Sequence, residues 1–464
     1  MVHCYKNNGY NIVMDVNSGS VHVVDDIVYD LIPLLEPLVK EKAGEEKMLA
    51  LAKGQGFSYA EKDIEEAVSE ILALADSELL YTEDIYENYI DSFQKRETVV
   101  KALCLHIAHD CNLACKYCFA EEGEYHGRRA LMSFEVGKKA LDFLVENSGS
   151  RVNLEVDFFG GEPLMNWQVV KDLVAYGRSI EEEKHKKFRF TLTTNGVLLD
   201  DDILEFANKE MGNLVLSIDG RKEVHDRMRP HRGGQGSYDE IVPKFQKAAE
   251  SRGQMNYYVR GTYTHYNLDF AADVLHLADL GFQQISVEPV VAPPSEPYAI
   301  RREDVPYLLK QYDTLAVEML RRRKEGRGFN FFHFMIDLEG GPCVAKRLSG
   351  CGSGTEYLAV TPWGDFYPCH QFVGQEQFLM GNVEDGITRP DICESFKKCN
   401  VYAKEQCKDC FAKFYCSGGC AANSYHFTGD VNGAYDIGCD LQRKRIECAI
   451  MIKAALNSLE ENEQ

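Results

Sequence analysis

This sequence predicts an α/β fold with a parallel sheet, on three observations. Apolar strand patterns near 102–108, 152–159, 188–193, 213–218, 256–263 and 284–288 alternate with amphipathic stretches, which puts a parallel sheet inside a layer of helices. Cys111, Cys115 and Cys118 follow the first of these strands at C-x3-C-x2-C spacing, the strand-end position where α/β barrels carry their active sites. A second run of cysteines, from Cys343 to Cys448, fills the last third.

In chain order, residues 1–92 begin with strand patterns at 10–15 and 20–24 around the turn-prone Asn17-Ser18-Gly19. Helical patterns at 27–40 and 62–75 follow, then a short segment at 79–82 and a highly charged stretch at 83–98 that reads as a linker or surface helix. Residues 93–325 hold the six strand–helix units, and residues 326–464 hold the cysteine-rich region. At 464 residues and 45% hydrophobic, the chain can bury a large core and carry accessory modules, so two or three domains are expected.

Bulk properties exclude several functions. A net charge of −22 argues against a nucleic-acid partner, whose phosphates a basic surface would have to neutralise. No basic segment with an apolar stretch opens the chain and no apolar run reaches membrane-spanning length, so a cytoplasmic protein without a membrane partner is expected. Sixteen cysteines in so large a chain point to metal or redox sites, since disulfide scaffolds belong mostly to small secreted domains.

Three thiolates can hold three corners of a four-iron cluster and leave the fourth iron open to a small molecule. Taken alone, the triplet also suits a zinc knuckle with a distant fourth ligand, or a cluster used only for electron transfer.

The octet Cys111-Asn112-Leu113-Ala114-Cys115-Lys116-Tyr117-Cys118 resembles the signature of the radical S-adenosylmethionine (SAM) superfamily. Three further matches extend the resemblance over roughly residues 100–300. Gly160-Gly161-Glu162-Pro163 looks like the family's GGEP segment, whose glycines let the backbone approach the methionine of SAM beside the glutamate. Ser217-Ile218-Asp219-Gly220 is similar to SxDG, whose Ser217 and Asp219 side chains would reach the ribose or the amino-acid end. Arg260 lies where a bidentate contact with the SAM carboxylate is expected. The resemblance implies a partial (β/α)6 barrel with Tyr117 among the SAM contacts. It also implies a cluster on Cys111, Cys115 and Cys118 that cleaves SAM to a 5′-deoxyadenosyl radical, which takes hydrogen from an unactivated carbon.

Glu288, at the end of the sixth strand, is the one catalytic candidate, with a surface carboxylate as the alternative. His225, Asp226 and Arg229 lie in a stretch that is similar to a segment common in peptide-modifying radical SAM enzymes. Adjacent residues on a helix do not face each other, so a cap or loop tie is expected there.

Cys351, Gly364, Cys369, Cys407, Cys410, Cys416, Cys420 and Cys439 give C-x12-G-x4-C, then C-x2-C-x5-C-x3-C, then a lone cysteine. This resembles the SPASM domain of peptide-modifying radical SAM enzymes, against a zinc ribbon as the alternative. The resemblance implies two auxiliary four-iron clusters and so three in all. Cys351, Cys369 and Cys420 would hold the nearer one, with Cys343 or a substrate thiolate as the fourth ligand. Cys407, Cys410, Cys416 and Cys439 would hold the outer one.

The N-terminal hairpin followed by helices resembles the winged-helix-like element that captures leader peptides. A cap on the barrel is the alternative. Residues 105–113, with 118–120 and 131–132, are similar to the maturases of six-cysteines-in-forty-five peptides. The expected activity is a Cys-to-Thr thioether in a ribosomally made peptide, with a ferredoxin or flavodoxin as electron donor. The alternatives are formylglycine formation, as in anaerobic sulfatase maturases, and a non-enzymatic iron–sulfur carrier.

Overall fold

The computed structural model describes residues 1–121, 123–125, 127–340 and 344–463. Strands β1 (Val2–Asn7), β2 (Tyr10–Asp15) and β3 (Val21–Val24) form an antiparallel sheet in that order. The expected hairpin is therefore a three-stranded sheet. The missed turn is Asn8-Gly9, whose φ angles of 49° and 86° suit the two-residue hairpin turn that pairs Asn7 with Tyr10.

Helices α1 (Asp26–Lys40), α2 (Glu45–Lys53) and α3 (Glu61–Asp76) cover one face of this sheet. Asp25 caps α1 by accepting from the Val28 N–H at 2.9 Å. Helical spacing of Leu31 and Leu35 in α1, and of Ile64, Val68 and Ile71 in α3, builds a small core with Val13. The alternate residues Ile12 and Met14 point the other way into the main core. Among the described residues β3 pairs only with β2 and is a free edge.

The charged stretch after α3 holds the short helix Ile90–Gln94 and is tied down. Its Asp84 accepts hydrogen bonds from the Tyr402 hydroxyl and Lys413 Nζ, each at 2.7 Å.

The main sheet contains β4 (Ala102–His109), β5 (Ala130–Leu131), β6 (Asn153–Gly160), β7 (Lys187–Thr194), β8 (Met211–Ser217), β9 (Tyr257–Tyr263), β10 (Gln284–Pro289) and β11 (Asn330–Phe331). It continues through β12 (Tyr357–Val360), β13 (Asp365–Tyr367), β14 (Gly381–Asn382) and β15 (Gly386–Ile387). The order is β11-β10-β9-β8-β7-β6-β4-β12-β13-β14-β15, with β5 on β4. The six expected strands are β4 and β6 to β10, all parallel. The sheet stays open, as a partial barrel must.

β12, from the cysteine-rich region, pairs parallel with β4, so that region extends the barrel sheet directly. The helices Phe134–Glu146, Trp167–Lys184, Asp201–Glu210 and Tyr238–Ser251 alternate with the strands. Phe158 and Phe190 from the strands, with Phe245 and Phe270 from helices, are fully buried between the layers, each contributing about 2–3 kcal/mol of burial free energy.

The C-terminal helix Asp436–Glu463 packs on the helix Val305–Lys324 and meets β1. The Tyr5 hydroxyl donates to the Glu447 carbonyl at 3.0 Å, and His3 stacks on Phe411 at 3.6 Å. Among the described residues no helix is long and apolar enough to cross a membrane.

Candidate active site

The C-terminal ends of β4, β6, β7, β8, β9 and β10 converge on a cavity of about 280 Å³. Cys111, Cys118, Glu162, Arg260, Glu288 and His370 are among the residues that line it. The cysteine loop follows β4 and is braced by the segment after β8. Ala114 and Lys116 donate their N–H groups to the Pro230 and Met228 carbonyls, each at 2.9 Å. Arg232 reaches the Cys111 carbonyl and the Asp110 carboxylate, both at 2.9 Å.

Cys111, Cys115 and Cys118 are unbridged and lie close enough for their charges to act on one another. Burial pushes the Cys111 thiol up to about 12 and the Cys115 thiol higher still. A bound cation reverses that penalty, because a coordinated thiol loses its proton. Among the described residues no three Cys, His, Asp or Glu side chains converge tightly enough to grip a single metal ion. An all-sulfur donor set spread more widely suits the larger cube of an iron–sulfur cluster.

Gly160 and Gly161 do more than admit a ligand. Gly160 has φ 118°, and a Cβ there would lie 2.4 Å from the Ala108 carbonyl oxygen. At Gly161 it would lie 2.1 Å from the Asp110 carbonyl oxygen. The two glycines thus let the end of β6 close on the end of β4, which holds the cysteine loop against the cavity. Both glycines line the cavity, and so does Pro163.

Glu162 is buried and accepts from the Asn195 N–H at 2.7 Å, the Thr194 hydroxyl at 2.8 Å and the Leu164 N–H at 3.0 Å. Burial outweighs these bonds and pushes its carboxyl up to about 7. The ligand-free native state therefore keeps a proton that the unfolded chain releases near 4.5, and stability falls as pH rises from about 4.5 to 7. Glu162→Gln is expected to remove about 3 kcal/mol of that pH dependence. Unfolding midpoints of both proteins across this range check it, and parallel curves would contradict it.

Asp219, expected to reach SAM, lies behind the wall of the cavity. Asp219 is fully buried and does not line the cavity. Its carboxylate accepts from the Tyr117 hydroxyl at 2.7 and 2.8 Å, Arg229 Nε at 3.0 Å and the Thr262 N–H at 3.0 Å. It positions Tyr117, which lines the cavity with Ser217, and anchors the loop after β8. Nδ1 of His225 accepts from the Asp219 N–H at 3.3 Å and its Nε2 meets Ser237 at 2.9 Å, while Asp226 accepts from the Tyr238 N–H at 2.9 Å. Both are loop ties, as adjacent positions on a helix imply.

Glu288 lines the cavity. Burial acts to raise its carboxyl, but Arg260, His333 and Arg445 outweigh it and hold it near 2. Arg260 Nη2 lies 3.0 Å from Glu288, so in this state the arginine expected on the SAM carboxylate is paired within the protein. Arg445, from the C-terminal helix, donates to the Tyr312 hydroxyl at 2.8 Å, and its Nη2 has no partner among the described residues.

The later cysteines fall into two groups. The charges of Cys351 and Cys420 act on Cys369, and those of Cys407, Cys410 and Cys439 act on Cys416. A second cavity of about 290 Å³ is lined by Cys407, Cys410, Cys416, Cys420 and Cys439. Both cavities share Glu288 and Asn423 on their walls. Cys343 lies outside the described residues.

Sequence reasoning missed Asn195, whose amide reaches Asn112 at 2.7 Å and Cys111 Sγ at 3.6 Å. The signal was Thr193-Thr194-Asn195-Gly196 at the end of β7, a polar strand end like the other three. It also missed the buried pair His106 and His109, whose Nδ1 and Nε2 lie 2.9 Å apart and whose outer nitrogens have no partner among the described residues. Burial holds His109 down at about 4, so the pair is neutral.

An open parallel barrel with a three-thiol loop after its first strand and GGEP after its second defines an enzyme class built around SAM and an iron–sulfur cluster. The family model of the radical SAM superfamily matches residues 105–278, so this segment, which spans most of the barrel strands, is a radical SAM domain, and the chain is an enzyme.

Its relatives include a cysteine-type anaerobic sulfatase-maturating enzyme of Clostridium novyi, 23% identical over 68% of this chain and 86% of the relative. The antilisterial bacteriocin subtilosin biosynthesis protein AlbA of Bacillus subtilis is 25% identical over 69% of this chain and 68% of its own. Among solved structures, anSMEcpe with bound AdoMet has a TM-score of 0.66 at 20% identity, covering 77% of this chain and 96% of its own. Streptococcus suis SuiB bound to S-adenosylmethionine has a TM-score of 0.51 at 16% identity, covering 94% of this chain and 98% of its own. At these identities both structures establish the shared fold.

Proposed function

We propose that this enzyme installs thioether cross-links, from Cys sulfur to a Thr carbon, in a ribosomally made Cys-rich peptide. The observation that carries the reading is the pairing of two C-terminal cysteine groups with a separate N-terminal sheet whose β3 edge is free. A free edge accepts an extended peptide as an added strand, so residues 1–92 suit capture of a leader. The fold likeness to anSMEcpe covers 77% of this chain and that to SuiB 94%, so the SuiB likeness takes in more of the chain.

Cys111, Cys115 and Cys118 would hold the SAM-binding cluster; Cys351, Cys369 and Cys420 the nearer auxiliary cluster; Cys407, Cys410, Cys416 and Cys439 the outer one. Cys343 or a substrate thiolate would complete the nearer cluster. When bound, SAM and its cluster supply a 5′-deoxyadenosyl radical that takes a hydrogen atom from a substrate carbon.

The chain's own residues arrange this chemistry. Glu162 offers a buried carboxylate to the amino group of SAM, and Arg260 a guanidinium to its carboxylate, with Glu288 as the standing counter-ion that Arg260 leaves. Tyr117, held rigid by Asp219, Ser217 and the Gly160–Pro163 turn shape the pocket. Tyr125 and Phe159 line its wall and keep water from the reacting centre. Glu288 and Asn423, shared by both cavities, mark the passage between the radical and the auxiliary cysteines.

Co-expression with a Cys-rich peptide encoded beside the gene tests the reading. The expected product has lost about two mass units per bridge, and the bridged sulfurs resist thiol alkylation. A free aldehyde would assign the formylglycine reaction instead, and an unchanged peptide would overturn the proposal.

A further inference from the structure

Glu288 stands between two guanidinium groups that come from distant parts of the chain. Arg260, on the neighbouring strand β9, lines the SAM cavity with it, and Arg445, from the C-terminal helix, lines the second cavity with it. Arg260 is the partner it holds here, at 3.0 Å. The third group beside the carboxylate, His333 Nε2 at 3.8 Å, is kept neutral by burial and brings no charge. Arg445 is 8% exposed, and among the described residues its hydrogen bonds go to neutral groups. Nε donates to the Tyr312 hydroxyl at 2.8 Å and Nη1 to Gln442 Oε1 at 3.5 Å, while the buried Nη2 has no partner. Glu288 is the carboxylate whose charge acts on it.

A buried guanidinium with no counter-ion and a donor unspent is costly, and so is a carboxylate that loses its ion pair when a ligand fills the cavity beside it. Once Arg260 is drawn away, Arg445 and Glu288 each supply what the other lacks. We propose that Arg445 is a positioning residue for SAM: it takes over Glu288 when Arg260 turns to the SAM carboxylate. The inference rests on the reading that Arg260 binds that carboxylate. Without Arg445, Glu288 competes with SAM for Arg260. With it, one ion pair replaces another and Arg260 is released to the ligand; no covalent bond changes and no proton moves. Tyr312, its hydroxyl 2.9 Å from that of Tyr263, anchors Nε and leaves Nη2 to receive the carboxylate. Arg445 also shares its helix with Cys439, so the exchange ties the SAM pocket to the cysteine-rich region.

Equilibrium dialysis of labelled SAM against the anaerobically reconstituted, unreduced enzyme tests this without turnover. Arg445→Met is expected to weaken SAM binding about tenfold, and Arg445→Lys, which keeps the charge, to stay within a few fold of wild type. Glu288→Gln frees Arg260, so Arg445→Met should cost nothing further in that background. This double variant leaves no carboxylate unpaired and keeps the test open should the single one fold poorly. 5′-Deoxyadenosine, which has no carboxylate, should bind every variant alike. SAM affinity unchanged in Arg445→Met would overturn the inference. So would an equal loss in the Glu288→Gln background, or a loss that 5′-deoxyadenosine shares, since either marks a merely structural role. It would also fall if Arg445→Met weakened only the binding of the precursor peptide. Arg260→Met that binds SAM as tightly as wild type would instead contradict the assignment of Arg260 to the carboxylate, and this inference with it.

Discussion

Alanine at Cys111, Cys115 and Cys118 abolishes SAM cleavage, with 5′-deoxyadenosine falling to background and iron falling by about four atoms per chain. The three thiols sit in a loop braced by backbone hydrogen bonds from Ala114 and Lys116, so truncating them leaves β4 and its pairing intact. The loss is therefore chemical, and thermal unfolding of the variant should stay close to that of wild type without iron. SAM cleavage that survives the triple replacement would remove these residues from the reaction.

The second large effect separates radical formation from its use. Cys351 and Cys420 are exposed thiols placed to act on Cys369. Cys351→Ala with Cys420→Ala is expected to keep SAM cleavage within a few fold of wild type and to eliminate the bridged peptide. The cost to folding is small, because exposed thiols bury little surface. The SAM pocket remains whole, while Cys369 loses the two thiols that would hold the nearer cluster with it. Chromatography of 5′-deoxyadenosine alongside peptide mass checks both halves. Bridged peptide at the wild-type yield would show that the auxiliary cysteines have no part in the coupling.

The barrel strands were legible because a strand buried on both faces reads as an apolar run, as at Ala102–His109, and a strand with one exposed face reads as an alternation, as in Leu154, Val156 and Phe158 of Asn153–Gly160. β1 was not, since Val2–Asn7 mixes Cys4, Tyr5 and Lys6 with its pattern and only the Asn8-Gly9 turn announced it. The extension of the sheet through β12 was hidden in four residues that gain strand character from pairing with β4.

The site divides along the same line. The positions of Cys111, Gly161 and Glu162 followed from strand ends and motif spacing, which are local. The roles of Asp219 and Glu288 did not, because each depends on partners far along the chain. Asp219 is used up by Tyr117, Arg229 and Thr262. Glu288 is held ionised by Arg260, His333 and Arg445, the last brought in by the C-terminal helix. A motif identifies a residue's type and place, and only the folded neighbourhood determines its charge state.

The most direct measurement is iron and zinc analysis of the anaerobically reconstituted wild-type chain, made on the sample that is then assayed for SAM cleavage. Three four-iron clusters predict about 12 iron atoms per chain, negligible zinc and 5′-deoxyadenosine formation on reduction. About four iron atoms with zinc in the remaining cysteines would contradict the account, leaving a radical SAM barrel joined to a structural zinc region.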